Sequence, residues 1–121
     1  MQVNVQSRSV LYDRPGPILV PEGIYEAALV EIRRFTNAFG ERIGLVFELV
    51  SEAHAGTRLM ESAALNDSPR GKLAGLLRGV GGADASIQTA HELVGSRCRV
   101  AIRHEATRTG KRYAAIVQTF R

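Results

Sequence analysis

Hydrophobic and polar residues alternate most regularly in Arg97–Glu105 (RCRVAIRHE), where Cys98, Val100 and Ile102 share one face and Arg97, Arg99 and Arg103 the other. A period of two predicts a strand with one buried face. The same pattern runs through Arg42–Ser51 (RIGLVFELVS), in which Ile43, Leu45, Phe47 and Leu49 alternate with Arg42, Gly44, Val46 and Glu48. Gly23–Phe35 (GIYEAALVEIRRF) is apolar with spaced charges; Gly23, Ile24, Tyr25, Val30 and Ile32 favour a strand over a short helix, the alternative there. Thr57–Leu65 (TRLMESAAL) reads as a third strand with weaker alternation. Lys111–Phe120 (KRYAAIVQTF) returns as the partner of 97–105 across the turn Ala106–Gly110.

Between the third and fourth strands the period lengthens. Leu73, Leu76, Leu77 and Val80 follow at helical spacing behind Asp67 or Ser68 as N-cap and Pro69 at the first helical position, and Gly79, Gly81 and Gly82 end the helix. A second helical turn is expected at Ser86–Val94, closed by Gly95. Residues 1–21, with Pro15, Pro17, Pro21 and Gly16, are expected to form an extended N-terminal arm carrying a short strand at Val3–Leu11, and residues 22–121 a single domain. Strand–strand–strand–helix–strand–strand is the element order of the OB-fold, so the expected class is all-β with one helix, a five-stranded Greek-key barrel.

Charge is segregated along this pattern. Residues 97–121 hold seven basic side chains against Glu105 alone, a net +6, whereas residues 1–96 hold nine basic against eleven acidic, a net −2. A basic folded surface attracts polyanions at long range. The basic residues are fourteen arginines and two lysines, and arginine makes planar, bidentate contacts with phosphate. An Arg-rich codon composition accounts equally well for that ratio, but not for the clustering.

Two connections concentrate cations beside aromatics. Arg33–Arg42 (RRFTNAFGER) joins the first two strands and brings Arg33, Arg34 and Arg42 together with Phe35 and Phe39; Glu105–Arg112 (EATRTGKR) joins the last two and brings Arg108, Lys111 and Arg112 beside Tyr113. In an OB-fold these loops flank a ligand lying across strands two and three. Phosphates attract the cations and unpaired bases stack on the rings, at about 1–3 kcal/mol per stacked base. Phe35 and Phe39 packed on the barrel end as loop plugs are the competing reading, and Tyr25 and Phe47 are assigned to the core.

The sequence resembles the small OB-fold single-stranded-DNA-binding proteins of bacteriophages and other mobile elements. Val20-Pro21-Glu22-Gly23-Ile24-Tyr25, Leu45-Val46-Phe47-Glu48-Leu49-Val50, Ala55-Gly56-Thr57-Arg58 and Glu92-Leu93-Val94-Gly95-Ser96-Arg97 carry the resemblance, over about residues 20–120. Such proteins commonly end in an acidic tail that recruits replication partners; this chain departs from them in ending Phe120-Arg121.

Catalytic patterns are missing. His54, His91 and His104 are far apart, no Cys/His pair has zinc spacing, and Gly95 stands where a metalloprotease motif beginning at His91-Glu92 needs histidine. Gly79-Val80-Gly81-Gly82 is followed by no GKS or GKT, and Cys98 reads as a small core residue. The expectation is a non-enzyme without metal or cofactor. It binds single-stranded nucleic acid, DNA rather than RNA, largely independently of sequence, in replication, recombination or repair. Arg33, Arg34, Arg42, Arg58, Arg99, Arg103, Arg108, Lys111 and Arg112 hold phosphates, and Phe35, Phe39 and Tyr113 stack on bases. The alternative is an assembly module that oligomerises through the arm and a sheet edge, and a homo-oligomer is expected in either case. No apolar run is long enough to span a membrane and the N-terminus lacks signal-peptide organisation, which points to the cytoplasm of a bacterial or phage-infected cell.

Overall fold

The computed structural model describes residues 19–66 and 68–121. The expected strand at Val3–Leu11, most of the arm and the Asp67 cap lie outside them. Five strands form one antiparallel sheet: β1 (Gly23–Asn37), β2 (Gly40–Leu49), β3 (Arg58–Ala64), β4 (Arg97–Ala106) and β5 (Arg112–Phe120), in the order β3-β2-β1-β4-β5. Helix α1 (Lys72–Gly81) and a 3₁₀ segment (Ile87–Leu93) intervene between β3 and β4. Gly23–Phe35 is therefore strand, and the helical alternative falls.

β1 is long enough to serve two partners. Its first part, Gly23–Ala28, pairs with β4, and Ala27–Asn37 pairs with β2, with a register break between Leu29 and Glu31. Such a bulge bends a strand and increases its twist, and the sheet curls so that β3 and β5, its two edges, approach each other. Glu61 on β3 bridges them: Oε1 accepts the Ile116 N–H of β5 at 3.1 Å while Oε2 pairs with Lys72 of α1. The result is a small β-barrel-like fold.

The core is built from the predicted alternation. Ile43, Leu45, Phe47 and Leu49 of β2 meet Cys98, Val100 and Ile102 of β4, and Leu73, Leu76, Leu77 and Val80 of α1 close over them. Two features of the core escape the pattern. Val46, on the outward face of β2, is buried as well, and Val20, assigned to the arm, packs in the core. Tyr25 is half-buried against the core, its hydroxyl donating to the Pro21 carbonyl at 2.6 Å.

The helix begins later than its sequence suggests. Asn66 Oδ1 accepts the Ser68 N–H at 3.0 Å and the Ser68 carbonyl accepts the Gly71 N–H at 3.0 Å, so Pro69 and Arg70 form a turn and Gly71 is the N-cap. Gly79 does not end the helix either. It lies inside α1, where a Cβ would come within 1.8 Å of Thr119 Oγ1 and 2.3 Å of the Thr119 carbonyl oxygen. The glycine lets the helix backbone rest on β5. Gly82, with φ of 93°, ends the helix. The 3₁₀ segment falls within the expected second helical turn, Ser86–Val94, opened by a reciprocal Ser86–Thr89 cap.

Candidate nucleic-acid interface

The ladder registers sort the expected binding residues onto faces. On the outward face of β1, β2 and β3, opposite the core, Arg33 lies across from Gly44, Phe35 across from Arg42, and Val46 across from Met60. Gly44 is the low point: a Cβ there would stand 2.5 Å from Met60 Sδ and 3.5 Å from Phe35 Cε1. Phe35, Met60 and Val46 thus make an apolar strip across three strands, with half of Met60 open to solvent.

Arginines border this strip in two states. Arg33 Nε pairs with Glu31 Oε2 at 2.8 Å and Arg58 Nε with Glu48 Oε1 at 2.9 Å. The Arg33 guanidinium holds the Glu31 carboxyl below its ordinary range, and the same bond raises Arg33. Exposed pairs of this kind are screened and exchange partners readily. Arg42 is different. Its Nη2 donates to Ser62 Oγ at only 3.4 Å, and its Nε is buried without a partner among the described residues. A buried donor left unpaired is costly.

The expected loop 33–42 is mostly strand. β1 and β2 remain paired out to Asn37 and Gly40, so only Ala38 and Phe39 turn; residues 36–41 project as a two-stranded ribbon, and Arg33, Arg34, Phe35 and Arg42 sit at its base, where β3 also pairs with β2. Neither phenylalanine is a plug. Phe35 is half-buried in the strip, and Phe39 at the ribbon tip is 81% exposed, its N–H held by Asn37 Oδ1 at 2.8 Å. Arg34, opposite Ile43, points to the other face of the ribbon; with Phe35, Glu41, Arg42 and Leu65 it lines a depression of about 180 Å³ at the ribbon's side.

The loop between β4 and β5 is a compact turn. The Thr107 N–H reaches the Lys111 carbonyl at 2.8 Å, the Gly110 N–H the Thr107 carbonyl at 2.9 Å, and the Lys111 N–H Thr107 Oγ1 at 3.1 Å. This holds Arg108 and Lys111 outward. It lies beyond the Gly23 end of β1 while Phe39 lies past the Asn37 end, so the two connections flank the sheet rather than abut. Tyr113 donates to Glu105 Oε1 at 3.2 Å; partial burial and that carboxylate hold its phenol above the ordinary range.

Arg112 is tied to a latch with no sequence signal. His104 Nε2 lies 2.8 Å from the Val20 carbonyl, which only accepts, so Nε2 carries the proton and Nδ1 accepts from Arg112 Nη2 at 2.9 Å. The His104 N–H donates to Glu22 Oε2 at 2.8 Å, which draws that carboxyl below its ordinary range. His104 is half-buried and fixes the chain entering β1.

Arg97, Arg99 and Arg103 are exposed on the outward face of β4, one strand beyond β1. Burial pushes the thiol of Cys98, between the first two on the core side, up to about 11, with the Glu26 charge assisting. Met60, Gly44, Ser62 and Phe120 were missed as site residues; they become visible only through the register. Among the described residues no three of His, Cys, Asp and Glu group as metal ligands, and no helix is long and apolar enough to cross a membrane. Comparison with known protein families finds no family model that matches this chain, and comparison with curated proteins finds no match.

Proposed function

We propose that this protein is a non-catalytic, largely sequence-independent binder of single-stranded DNA, built as an OB-type barrel. One observation carries the reading: the outward face of β1–β3 presents an apolar strip next to Arg42, whose Nε is buried and unpaired among the described residues. An unpaired base lies flat on Phe35 and Met60 while its phosphate takes the Arg42 guanidinium; Phe39 at the ribbon tip adds a second ring. Arg33 and Arg58 exchange their glutamates for phosphates, and Arg34, Arg108, Lys111 and Arg112 extend the cationic rim.

Such a site reads stacking and charge and is indifferent to base edges, which implies little sequence preference. Fluorescence anisotropy with a labelled oligodeoxynucleotide tests the proposal, with RNA of the same sequence as competitor. Saturable binding at low salt, competed less well by RNA, is expected. No binding of single strands at low salt overturns it.

A further inference from the structure

The strip on β1–β3 is electrically almost balanced: Arg33, Arg42 and Arg58 face Glu31 and Glu48. A second group of arginines lies elsewhere, beside Glu26 and Glu105. Along β4, Arg97, Arg99 and Arg103 point outward, and among the described residues none has a side-chain carboxylate within 4.0 Å. Glu26, directly across from Arg99, is not paired with it. Arg99 instead lies over the Phe120 ring, 5.7 Å from its centroid, with Nη2 3.5 Å from the Arg121 carbonyl.

The floor of this face is low and its ends are aromatic. Ala101 is paired with Gln118 and Ala115 with Arg103; Tyr113 stands at one end and Phe120 at the other. At about 3.3 Å per strand residue, Arg97 and Arg99 are roughly 6.6 Å apart and Arg103 about 13 Å further along. Ile24 on β1, 61% exposed, lies beside Ala101 in the gap. A row of exposed guanidinium groups without side-chain carboxylate partners among the described residues, with rings at either end, fits an extended polyanion carrying π faces rather than a compact anion.

We infer that the outward face of β4–β5 is a second, separate contact surface for the same nucleic-acid strand, an inference that rests on the proposed function above. The strand leaves the β1–β3 strip, crosses to Arg97, which stands opposite Ala28, and runs along Arg99 and Arg103 toward the Arg108–Lys111 turn at the Gly23 end of β1. The first surface supplies stacking together with its own arginines, and the second adds three exposed arginines that form no salt bridge among the described residues. Linking two modest surfaces on one strand raises affinity through effective concentration, provided the strand is long enough to reach both.

The experiment compares the wild-type chain with the Arg97→Ala/Arg99→Ala/Arg103→Ala triple variant, using labelled oligothymidylates of about 8 and about 30 nucleotides, the first within and the second beyond the range of about 4–16 nucleotides for one OB domain. Thermal unfolding controls for folding, since all three side chains are exposed. The expected result is equal affinity for the short strand within twofold and a loss of tenfold or more for the long one. The salt dependence of long-strand binding should become shallower by about 2 in log K against log salt, at about 0.7 per phosphate contact. Unchanged affinity and slope at both lengths, with the wild type still binding, overturn the second surface and leave the proposed function standing. Equal losses at both lengths also overturn it, because the row would then belong to the first site. A wild type that binds neither strand overturns both. If the triple variant unfolds, Arg97→Glu and Arg103→Glu made singly give the same comparison.

Discussion

Arg42 and Phe35 stand directly opposite each other on the β1–β2 ladder, both on the outward face of the sheet. A cross-strand pair of this kind brings Cβ atoms to about 4.5–5.5 Å. A base on the ring thus has its phosphate within reach of the guanidinium. Phe35→Leu keeps an apolar side chain and removes the π face; it is expected to lower single-strand affinity by about 1–3 kcal/mol, roughly five- to 150-fold. Arg42→Gln is expected to weaken binding and to flatten its salt dependence by about 0.7. Anisotropy titrations of both variants check this, and wild-type affinity in both would remove the strip from the site.

Phe39 separates binding from folding. At 81% exposure, Phe39→Ser is expected to leave stability within about 0.5 kcal/mol of wild type while reducing affinity. Denaturant titration and anisotropy on the same sample read the two quantities.

Gly79 and Thr119 hold α1 onto β5. Thr119 Oγ1 donates to the Leu76 carbonyl at 2.7 Å in the core, and the close approach requires the missing Cβ at Gly79. Gly79→Ala forces the helix off the strand and is expected to cost about 3 kcal/mol or more. Thr119→Val leaves the Leu76 carbonyl without that partner and is expected to cost about 1–3 kcal/mol. Urea unfolding measures both; a stable Gly79→Ala variant would contradict the packing.

Cys98 gives the stability a pH dependence on the alkaline side. Its thiol is raised from an ordinary 9.0 to about 11, so the native state keeps a proton that the unfolded state releases first. The contribution to stability is complete below about pH 9 and is lost between there and about 11. Cys98→Ala is therefore expected to show a smaller fall in stability across that window. At neutral pH the thiol should react with a thiol reagent only as the chain unfolds.

β2 and β4 were legible because each carries its own period of two: Cys98, Val100 and Ile102 point inward as their spacing requires. Boundaries set by one long-range contact were not legible. Gly79 reads locally as a helix stop, and only Thr119, forty positions away, shows why it is glycine. The projecting ribbon was mistaken for a loop because Thr36, Asn37 and Gly40 are turn formers that the β1–β2 ladder nevertheless keeps paired. Cations and rings of the candidate site were visible as residue types. Their grouping into one strip and one row depends on register, which places Met60 and Gly44 beside Phe35 and Phe120 beneath Arg99.

The central claim is that single strands bind through stacking and charge together. Its most direct measurement is anisotropy of the wild-type chain with one labelled oligodeoxynucleotide, single-stranded and as a duplex, at about 50 and about 200 mM salt. The expected result is tighter binding of the single strand at both salts, with affinity falling as salt rises. Equal or tighter binding of the duplex, in which the bases are not free to stack on the strip, would contradict it.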